Sequence, residues 1–574
     1  MTNNNYNEFF SSFLTTYLPR LPDEILMQIF DLFNRSDLWT FLTNFPHHDL
    51  RDLVLHHYYS EVAFIVHSEV SWYHRYFLDI TQFFNEEIFE FMDTFPENIP
   101  RRLIITFDNE SFSTIEQFLE RYDERIRKVA QLEIALERCQ LGDCDLNYLL
   151  SFKNLTKIYV QNMNLSNTKI FDNTYWTDHP RLEEIILVQD CVDDWSSFRF
   201  PEKLKCLELV QTELDHKLII PKSVKTLSIS GSKLDSLEIF QNQHSCDSTQ
   251  NLMEDQLPAG LRKLKLETTG IYDFNRIHWP TSLEVLSLAE TGLNDSALKI
   301  INNLHRWPPG LIDLNISNNP IRLPNFASRL PSNLKILEMN QVELSWLESE
   351  HPIEFPETLT ELYMNACKIP GLDVLSFPTS LKKLALTTNQ IEDVASYDWE
   401  ILVNLETLDL SGNNITSLDD WMIPPNLINL CLFANPINEL SENFPLFIDQ
   451  YKFNLEYLDL RFCNIKSISV KYIPASLKML ILLGNSLGSN LVLPSSFKSL
   501  QHLNLCRCGL ATVEFRDEDK QLTTPSPRRK PLDLPAFYSY DWKLCLGKIR
   551  KSTNTFHEEC LETFRGREPI WLID

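Results

Sequence analysis

The stretch Leu405-Glu-Thr-Leu408-Asp-Leu410-Ser-Gly-Asn413-Asn-Ile415 contains the pattern that organises most of this chain. The pattern begins with an apolar residue, continues with Leu three residues later, and has another apolar residue two positions further on. Thirteen clear copies begin at Leu204, Val224, Leu261, Leu283, Leu311, Leu334, Leu359, Leu381, Leu405, Leu427, Leu455, Leu477 and Leu500. Nearly all successive copies start 20 to 28 residues apart. This regular period indicates a stack of structural repeats.

Two further regularities accompany the repeat. A small polar residue or Cys often stands eight residues after the start, as in Asn319, Cys367, Asn389, Asn413, Asn435, Cys463, Asn485 and Cys508. Such a side chain can satisfy backbone groups where the chain bends away from a strand. Ten of the thirteen copies also have Pro three residues before the start, which resets the chain to an extended course. Each copy is therefore expected to form one short strand.

The complete pattern resembles the leucine-rich repeat. The resemblance implies an α/β solenoid, a horseshoe in which the strands of all repeats form one parallel concave sheet. Weaker copies at Val129, Leu155 and Leu182 bring the expected number to 13–16 repeats over residues 129–510. The longest gap, between Val224 and Leu261, is polar over 238–256 and is expected to hold a loop or an insertion. Most convex turns are expected to be extended or 3₁₀, with helices where the spacing reaches 28 residues.

Residues 1–60 do not follow the repeat. The string Leu21-Pro-Asp-Glu-Ile25-Leu26-Met-Gln-Ile29-Phe30 places Pro and acidic residues at a helix start and apolar residues at helical spacing. A second helix is expected from about Ser36, with Leu38 and Leu42 on its apolar side, and a third over 49–66. The segment 61–128 is rich in aromatic residues and is expected to be a helical linker or N-terminal cap.

The Leu-Pro-Asp-Glu opening and the helix that follows it resemble the F-box motif over about 40 residues. The resemblance implies a small all-helical module that docks on the SKP-type adaptor of a cullin-RING ubiquitin ligase. The adaptor-binding residues carried over from the motif are Leu21, Pro22, Ile25, Leu26, Ile29, Phe30, Leu38 and Leu42. The match departs from the family after Leu42, where Thr43-Asn-Phe45-Pro46 replaces a basic stretch. The alternative is a helical cap that shields the first repeat.

Composition limits the possible partners. The chain has 574 residues, with 52 Lys and Arg against 79 Asp and Glu, and a formal net charge of −27. Nucleic acids and anionic membrane surfaces are therefore not expected as partners. The sequence contains no apolar run approaching the roughly 18 residues of a membrane span and does not open on a secretory leader. Its 12 Cys residues include no C-x-x-C pair, so a cytoplasmic or nuclear location with reduced thiols is expected.

No catalytic or cofactor motif is present in the sequence. Its 13 Gly residues form neither a GxGxxG nor a GxxxxGK loop, and His557-Glu-Glu-Cys560 lacks the second His of a zinc helix. No cofactor, metal or intrinsic active site is expected; a ligase activity of its own would require Cys545 or Cys560 as the ubiquitin carrier. Residues 511–574 are expected to form a C-terminal cap with a flexible Pro-rich basic segment at about 517–533. Ser526, followed by Pro527 and Arg528, is a candidate phosphorylation site.

Residues two, four and six positions after each repeat start should project from the concave sheet. The candidates selected by this rule for target binding are Tyr363, Asp409, Phe433, Tyr457, Asp459, Arg461, Met479 and Ile481. Met479 and Ile481 could instead contact the C-terminal cap. The sequence therefore predicts a substrate receptor of an SCF-type ubiquitin ligase that binds the adaptor through its N-terminal module and a target protein through its repeats. The alternative is a leucine-rich-repeat scaffold without a ubiquitin role.

Overall fold

The computed structural model divides the chain into two compact units. Unit 1 comprises Met1–Cys367 with Ser376–Pro378, and unit 2 comprises Lys368–Leu375 with Thr379–Asp574. The residues that the structure describes are 26, 30, 38, 41, 42, 50–65, 81–83, 87–94, 99–108, 112–139, 147–163, 174–189, 195, 198–214, 218–232, 234, 240–241, 257–271, 279–303, 307–322, 327, 330–345, 352–448, 452–470, 473–494, 500–516 and 543–546.

Unit 1 contains a parallel sheet in which nearly every strand pairs with the next one along the chain. The exception is at its start, where Glu61–Ile65 lies between Thr81–Phe83 and Arg102–Asp108. The remaining strands follow in chain order: Gln131–Glu137, Leu155–Gln161, Glu184–Val188, Cys206–Val210, Thr226–Ser230, Lys263–Glu267, Val285–Ser287, Asp313–Asn315, Ile336–Glu338 and Glu361–Tyr363. A separate two-strand pair joins Leu218–Ile219 to Phe240–Gln241.

Unit 2 continues the same construction with shorter strands. Its sheet consists of Lys383–Ala385, Thr407–Asp409, Asn429–Cys431, Tyr457–Asp459, Met479–Ile481, His502–Leu505 and Lys543–Leu546, all parallel. Separate parallel pairs join Glu439–Leu440 to Ser467–Ile468 and Asn490–Pro494 to Thr512–Arg516. Between residues 129 and 510 the described parts of the two units hold sixteen sheet strands, at the upper end of the expected number.

The segments between strands are mostly irregular, as the short period predicts. The described helices are Arg51–Tyr58, Glu87–Thr94, Phe112–Arg121, Asp123–Lys128, Asn147–Leu150, Thr174–Thr177 and Asp295–Asn303, with 3₁₀ turns at Leu372–Val374, Trp399–Ile401 and Pro445–Phe447. The remaining described strands are the two-residue strands Ile353–Glu354 and Leu375–Ser376. Asp295–Asn303 lies in the 28-residue interval after Leu283, where a helix was expected. The other 28-residue interval, after Leu427, contains the 3₁₀ turn instead.

The repeat also fixes a backbone conformation that the side-chain pattern alone does not reveal. The residue seven positions after every one of the thirteen starts has a positive φ, from Gln211 to Arg507. Gly occupies this position in three copies, Gly231, Gly412 and Gly484. The other copies place an L residue in the left-handed region, a conformation that side chains normally disfavour. The next residue points inward and donates a side-chain hydrogen bond to a backbone carbonyl in every copy except the one with Val342.

Residues 61–128 were expected to be a helical linker or cap, but this segment contains strands as well as helices. This segment contributes the strands Glu61–Ile65, Thr81–Phe83 and Arg102–Asp108, and the third N-terminal helix ends at Tyr58 rather than near residue 66. Val62, Ala63 and Phe64 are all buried, so the strand reads as a continuous apolar run. Because such a run fits a helix and a two-sided buried strand equally well, the sequence pattern could not separate them.

Candidate protein-binding surfaces

The strand face of unit 2 consists of three parallel rows of side chains. The first row is Lys383, Thr407, Asn429, Tyr457, Met479 and His502, and the second is Ala385, Asp409, Cys431, Asp459, Ile481 and Asn504. The third row follows the strands and includes Ser411, Phe433, Arg461 and Leu483, whose carbonyls accept hydrogen bonds from the preceding repeat. The second row is largely buried between the other two, so it forms the floor of the face.

Arg461 is fixed on this face by a buried carboxylate. Its Nε lies 3.0 and 2.8 Å from the two carboxylate oxygens of Asp459, and its Nη2 lies 2.6 Å from Oδ2. Asp459 also accepts a hydrogen bond from the Arg461 backbone N–H at 3.0 Å and a longer one from the Tyr457 hydroxyl at 3.4 Å. The Asp459 side chain is 1% exposed while that of Arg461 is 44% exposed. The pair therefore holds one face of the guanidinium toward solvent in a defined orientation.

Two aromatic rings adjoin this guanidinium. The Arg461 Cζ lies 5.3 Å from the centroid of the Phe433 ring, within the range of a cation–π contact. Phe433 in turn meets Phe462 edge to face, with centroids 5.8 Å apart. Phe433 is 37% and Phe462 46% exposed. We call Phe433, Arg461 and Phe462 the aromatic–arginine cluster.

Phe462 was not among the residues that the sequence predicted for binding. It occupies the left-handed position of its repeat, with φ 53°, outside the alternation rule used to select concave residues. One feature of the sequence does indicate space for the Phe462 ring, because the equivalent position of the next repeat is Gly484. A Cβ on Gly484 would lie 2.4 Å from a carbon of the Phe462 ring, so the missing side chain provides the space for that ring.

The other predicted target-binding residues are less accessible than expected. Asp409 and Asp459 are buried, and so is Ile481. Tyr457 and Met479 are half-buried in the first row. The buried three belong to the middle row, whose side chains are covered by the neighbouring rows.

Tyr363, the remaining candidate, belongs to unit 1. Its hydroxyl donates a 2.6 Å hydrogen bond to Glu361, and the side chain is half-buried. Burial, together with the neighbouring Glu361 carboxylate, raises the pKa of the Tyr363 phenol far above its ordinary value. Tyr363 is thus a neutral hydrogen-bond donor on the strand face of unit 1.

The strand face of unit 2 suppresses the reactivity of its own Cys431. Burial raises the pKa of the Cys431 thiol well above its ordinary value, and the flanking Asp409 and Asp459 raise it further. The pKa of Asp409 is also raised, mainly by burial, although hydrogen bonds from Ser411 oppose this effect. Cys431 is therefore held as a thiol, which is a poor nucleophile. In the described part of the chain, no three His, Cys, Asp or Glu side chains are grouped to hold a metal ion.

The N-terminal module uses several predicted adaptor contacts for its own packing. Leu26, Phe30, Leu38 and Leu42 are helical and buried in one cluster with Leu50 and Val54. Leu21, Pro22, Ile25 and Ile29 lie outside the described residues, as do Ser526 and Cys560. Adaptor contacts from this module would thus require helix surfaces other than the four buried side chains.

A family model described as Leucine Rich repeat matches residues 402–418 and 451–473. These residues include the strands Thr407–Asp409 and Tyr457–Asp459 and the buried Asn413 and Cys463. These two segments of the chain match the leucine-rich repeat. Strands and left-handed residues of the same kind recur in the described parts of both units, so each unit is a parallel-sheet solenoid.

Three curated relatives match parts of this leucine-rich-repeat chain. Toll-like receptor 2 type-1 of Gallus gallus is 30% identical over 137 residues, covering 24% of the chain and 16% of the receptor. Toll-like receptor 2 type-2 of the same species is 25% identical over 224 residues, covering 38% of this chain and 27% of the receptor. Tubulin-specific chaperone E of Danio rerio is 27% identical over 215 residues, covering 35% of this chain and 39% of the chaperone. The chain thus spans less than half the length of each of these relatives.

Solved structures with related architecture include two that cover most of the repeat chain. The crystal structure of a TLR13–ssRNA13 complex is 16% identical with a TM-score of 0.41, covering 72% of this chain and 64% of that one. YopM, a leucine-rich effector protein from Yersinia pestis, is 19% identical with a TM-score of 0.36, covering 62% and 86%. Within the described residues, the helices are all too short or too polar to cross a membrane.

Proposed function

We propose that the chain is a non-catalytic leucine-rich-repeat protein that binds a protein target through the aromatic–arginine cluster of unit 2. The observation that supports this most directly is the fixed orientation of Arg461 between Asp459 and the exposed Phe433 ring. Aromatic residues and Arg are the residue types that most often dominate binding energy at protein interfaces. A guanidinium already held in place loses less conformational entropy when a partner binds.

The cluster is also suited to a mixed partner surface. Phe433 and Phe462 offer exposed apolar edges, while Arg461 retains donors that Asp459 does not use. A target with an apolar side chain next to a carboxylate or carbonyl would complement both features. This arrangement recognises a partner without performing chemistry on it.

Site-specific photocrosslinking tests this proposal. A photoreactive phenylalanine analogue would replace Phe462 in one sample and Val403 in the control, because Val403 is 48% exposed outside the cluster. We expect crosslinked partners at position 462 that are absent at position 403 and are lost when Arg461→Ala is added. Equal capture at both positions, or capture that Arg461→Ala leaves unchanged, would contradict the proposal.

We further propose that the chain is the substrate-recognition subunit of an SCF-type ubiquitin ligase in the cytoplasm or nucleus. Residues 18–60 would recruit the SKP-type adaptor and its cullin ligase, and the repeats would bind the protein substrate. The support is the F-box-like opening at Leu21-Pro22 together with the helical cluster of Leu26, Phe30, Leu38 and Leu42. Ubiquitin transfer would then depend on proximity rather than on catalytic residues of this chain.

Co-purification with the SKP-type adaptor on a sizing column tests the receptor role. Leu21→Ala/Pro22→Ala should abolish a stoichiometric complex, whereas the control Thr15→Ala/Thr16→Ala, upstream of the motif, should retain it. A folded wild-type chain that does not bind the adaptor would favour the scaffold without a ubiquitin role. That outcome would leave the proposal for the aromatic–arginine cluster intact, since photocrosslinking tests it independently.

A further inference from the structure

A second strand face, in unit 1, has charged side chains in two adjacent rows. The strands Lys263–Glu267 to Glu361–Tyr363 pair in register, so their side chains form continuous rows. One row is Lys265, Ser287, Asn315, Glu338 and Tyr363, and the adjacent row is Lys263, Val285, Asp313, Ile336 and Glu361. Asp313 and Glu338 therefore lie on neighbouring strands at the centre of the face.

Asp313 and Glu338 are half-buried carboxylates in an acidic setting. Burial raises the pKa of both groups, and the carboxylate of Asp313 raises that of Glu338 further, whereas Lys263 and Lys265 lower the pKa of Asp313 and Lys265 lowers that of Glu338. Among the described residues, neither carboxylate forms an ion pair with Lys, Arg or His, and the nearby Lys265 ammonium lies 3.8 Å from Glu267 instead. The Asn315 side chain donates a 2.9 Å hydrogen bond to Glu338 without neutralising its charge. Negative charge is thus concentrated where the strand face is partly shielded from water.

An unpaired hydroxyl lies in the same row. Ser287 is 3% exposed, and its Oγ has no hydrogen-bond partner in the described part of the structure. The strand register places it between Lys265 and Asn315, one strand from Asp313. A buried hydroxyl without a partner is unfavourable and uncommon in folded proteins. Ser287 is therefore an unused hydrogen-bonding group in the row that also contains Glu338.

We propose that this face binds the guanidinium of an arginine side chain from the target protein, held between Asp313 and Glu338 above Ser287. The inference rests on the proposed protein-binding function and adds the chemistry of the partner. A guanidinium has five N–H donors in a plane, enough to bridge two carboxylates and reach a hydroxyl acceptor. It also matches the negative charge of the face, and the same charge disfavours a nucleic acid.

Methyl NMR of the full chain with defined peptides tests the site directly. Val285 and Ile336 are half-exposed in the row that contains Asp313, so their methyl groups report binding locally. The probes are a Gly/Ser peptide containing two arginines, the same peptide with citrulline, and the same peptide with lysine. Citrulline preserves the shape of arginine and removes its charge. We expect saturable shifts of both methyl signals with the arginine peptide at concentrations up to several millimolar, and weaker binding of the other two.

Matched variants separate this site from the general negative field of the chain. Asp313→Asn/Glu338→Gln should weaken binding of the arginine peptide by about tenfold or more, since it removes both charged acceptors. The control Glu202→Gln/Glu357→Gln removes the same charge at exposed positions and should leave the dissociation constant within about twofold. Ser287→Ala should weaken binding less than the double variant, by about threefold.

Four outcomes would overturn the inference. The first is the absence of saturable shifts at Val285 and Ile336, and the second is an equal loss of affinity in the control variant. The third and fourth are binding of the citrulline peptide or of the lysine peptide as tight as that of the arginine peptide. If the arginine peptide does not bind but crosslinking at position 462 still depends on Arg461, the arginine site is rejected and the proposed protein-binding function is retained. If neither peptide binding nor Arg461-dependent crosslinking is observed, the proposed function itself is rejected.

Discussion

The early and the late repeats stabilise the same fold in different ways. The main-sheet strands from Arg102 to Glu267 are five to seven residues long, whereas those from Val285 to Ile481 have three residues each. The inward position eight residues after the start changes at almost the same place. It carries Thr212, Ser232, Thr269 and Thr291 in the repeats that start before residue 300, and from Asn319 onward it carries Asn or Cys in every copy except the one with Val342. Shorter backbone ladders thus mostly occur with side chains that link neighbouring repeats.

Asn413 shows what the amide contributes. Its Nδ2 donates to the carbonyls of Leu410 in its own repeat and Leu386 in the preceding one, at 2.8 and 2.9 Å. Its Oδ1 accepts from the backbone N–H of Ile391 at 3.2 Å. Thr291 instead donates to Leu288 within its own repeat at 2.8 Å. An amide therefore links neighbouring repeats from both ends, which a hydroxyl cannot do as fully.

The largest predicted effect comes from removing this link. Asn413→Ala should lower the free energy of unfolding by about 3 kcal/mol, because it removes three buried hydrogen bonds and leaves the Ile391 N–H without a partner. The carbonyls of Leu386 and Leu410 keep the amides of Asn389 and Asn435 as donors. Thr291→Val should cost about 1 kcal/mol. Urea unfolding combined with hydrogen exchange, which locates the loss within a repeat array, measures both. Asn414→Ala, at the exposed neighbouring position, is the control. Equal losses for Asn413 and Thr291 would contradict the proposed difference between the early and the late repeats.

The sequence was sufficient to predict this architecture because the internal pattern of the repeat recurs many times, although the spacing between copies varies. The starts, the inward Asn and Cys residues and the preceding prolines all identify strands that the structure contains. The pattern failed before residue 129, where Val62 and Phe64 belong to a strand without the inward polar position. The pattern also could not show which residues of the strand face are accessible to solvent. Asp409, Asp459 and Ile481 follow the alternation rule, yet the neighbouring rows bury them. Phe462 was missed because its exposure depends on a left-handed backbone and on Gly484.

The second prediction concerns the carboxylate that orients Arg461. Asp459→Asn keeps the shape of the side chain but removes the charge that the guanidinium contacts. We expect a loss of about 2 kcal/mol in the free energy of unfolding, below the value for a fully buried pair because Arg461 is partly exposed. The same experiment should abolish Arg461-dependent crosslinking at position 462. A variant with unchanged stability and unchanged crosslinking would show that the ion pair does not organise the cluster.

The third prediction uses two glycines with nearly the same backbone conformation. Gly484 and Gly488 have φ of 76° and 77°, but only at Gly484 would an added Cβ meet a side chain, the ring of Phe462. Gly488→Ala should cost about 1 kcal/mol from the left-handed backbone alone. Gly484→Ala should cost up to about 1 kcal/mol more and should displace Phe462. Fluorine NMR with a labelled Phe462 distinguishes the two, since only Gly484→Ala is expected to shift its signal.

The smallest predicted effect has the opposite sign and lies in unit 1. Asp313 and Glu338 have raised pKa values in the folded state, so folding makes their ionisation less favourable than at the ordinary values of 3.8 and 4.5. The folded protein binds these protons more tightly than the unfolded chain, and stability should therefore rise as the pH falls from 7 towards 4. Asp313→Asn/Glu338→Gln should increase the free energy of unfolding at pH 7, by less than about 1 kcal/mol because solvent screens these half-buried groups.

This gain should shrink at pH 5 and below, where the wild-type carboxyls begin to take up protons and the difference between the two chains disappears. Urea unfolding at pH 7 and pH 5 measures it, with Glu202→Gln/Glu357→Gln to correct for the lower net charge. A loss of stability at pH 7 would mean that the two carboxylates hold the strand face together. A gain would mean that unit 1 maintains them at a cost to its own stability, as a face built to bind a cation would, whereas Asp459 in unit 2 already has its cation in Arg461.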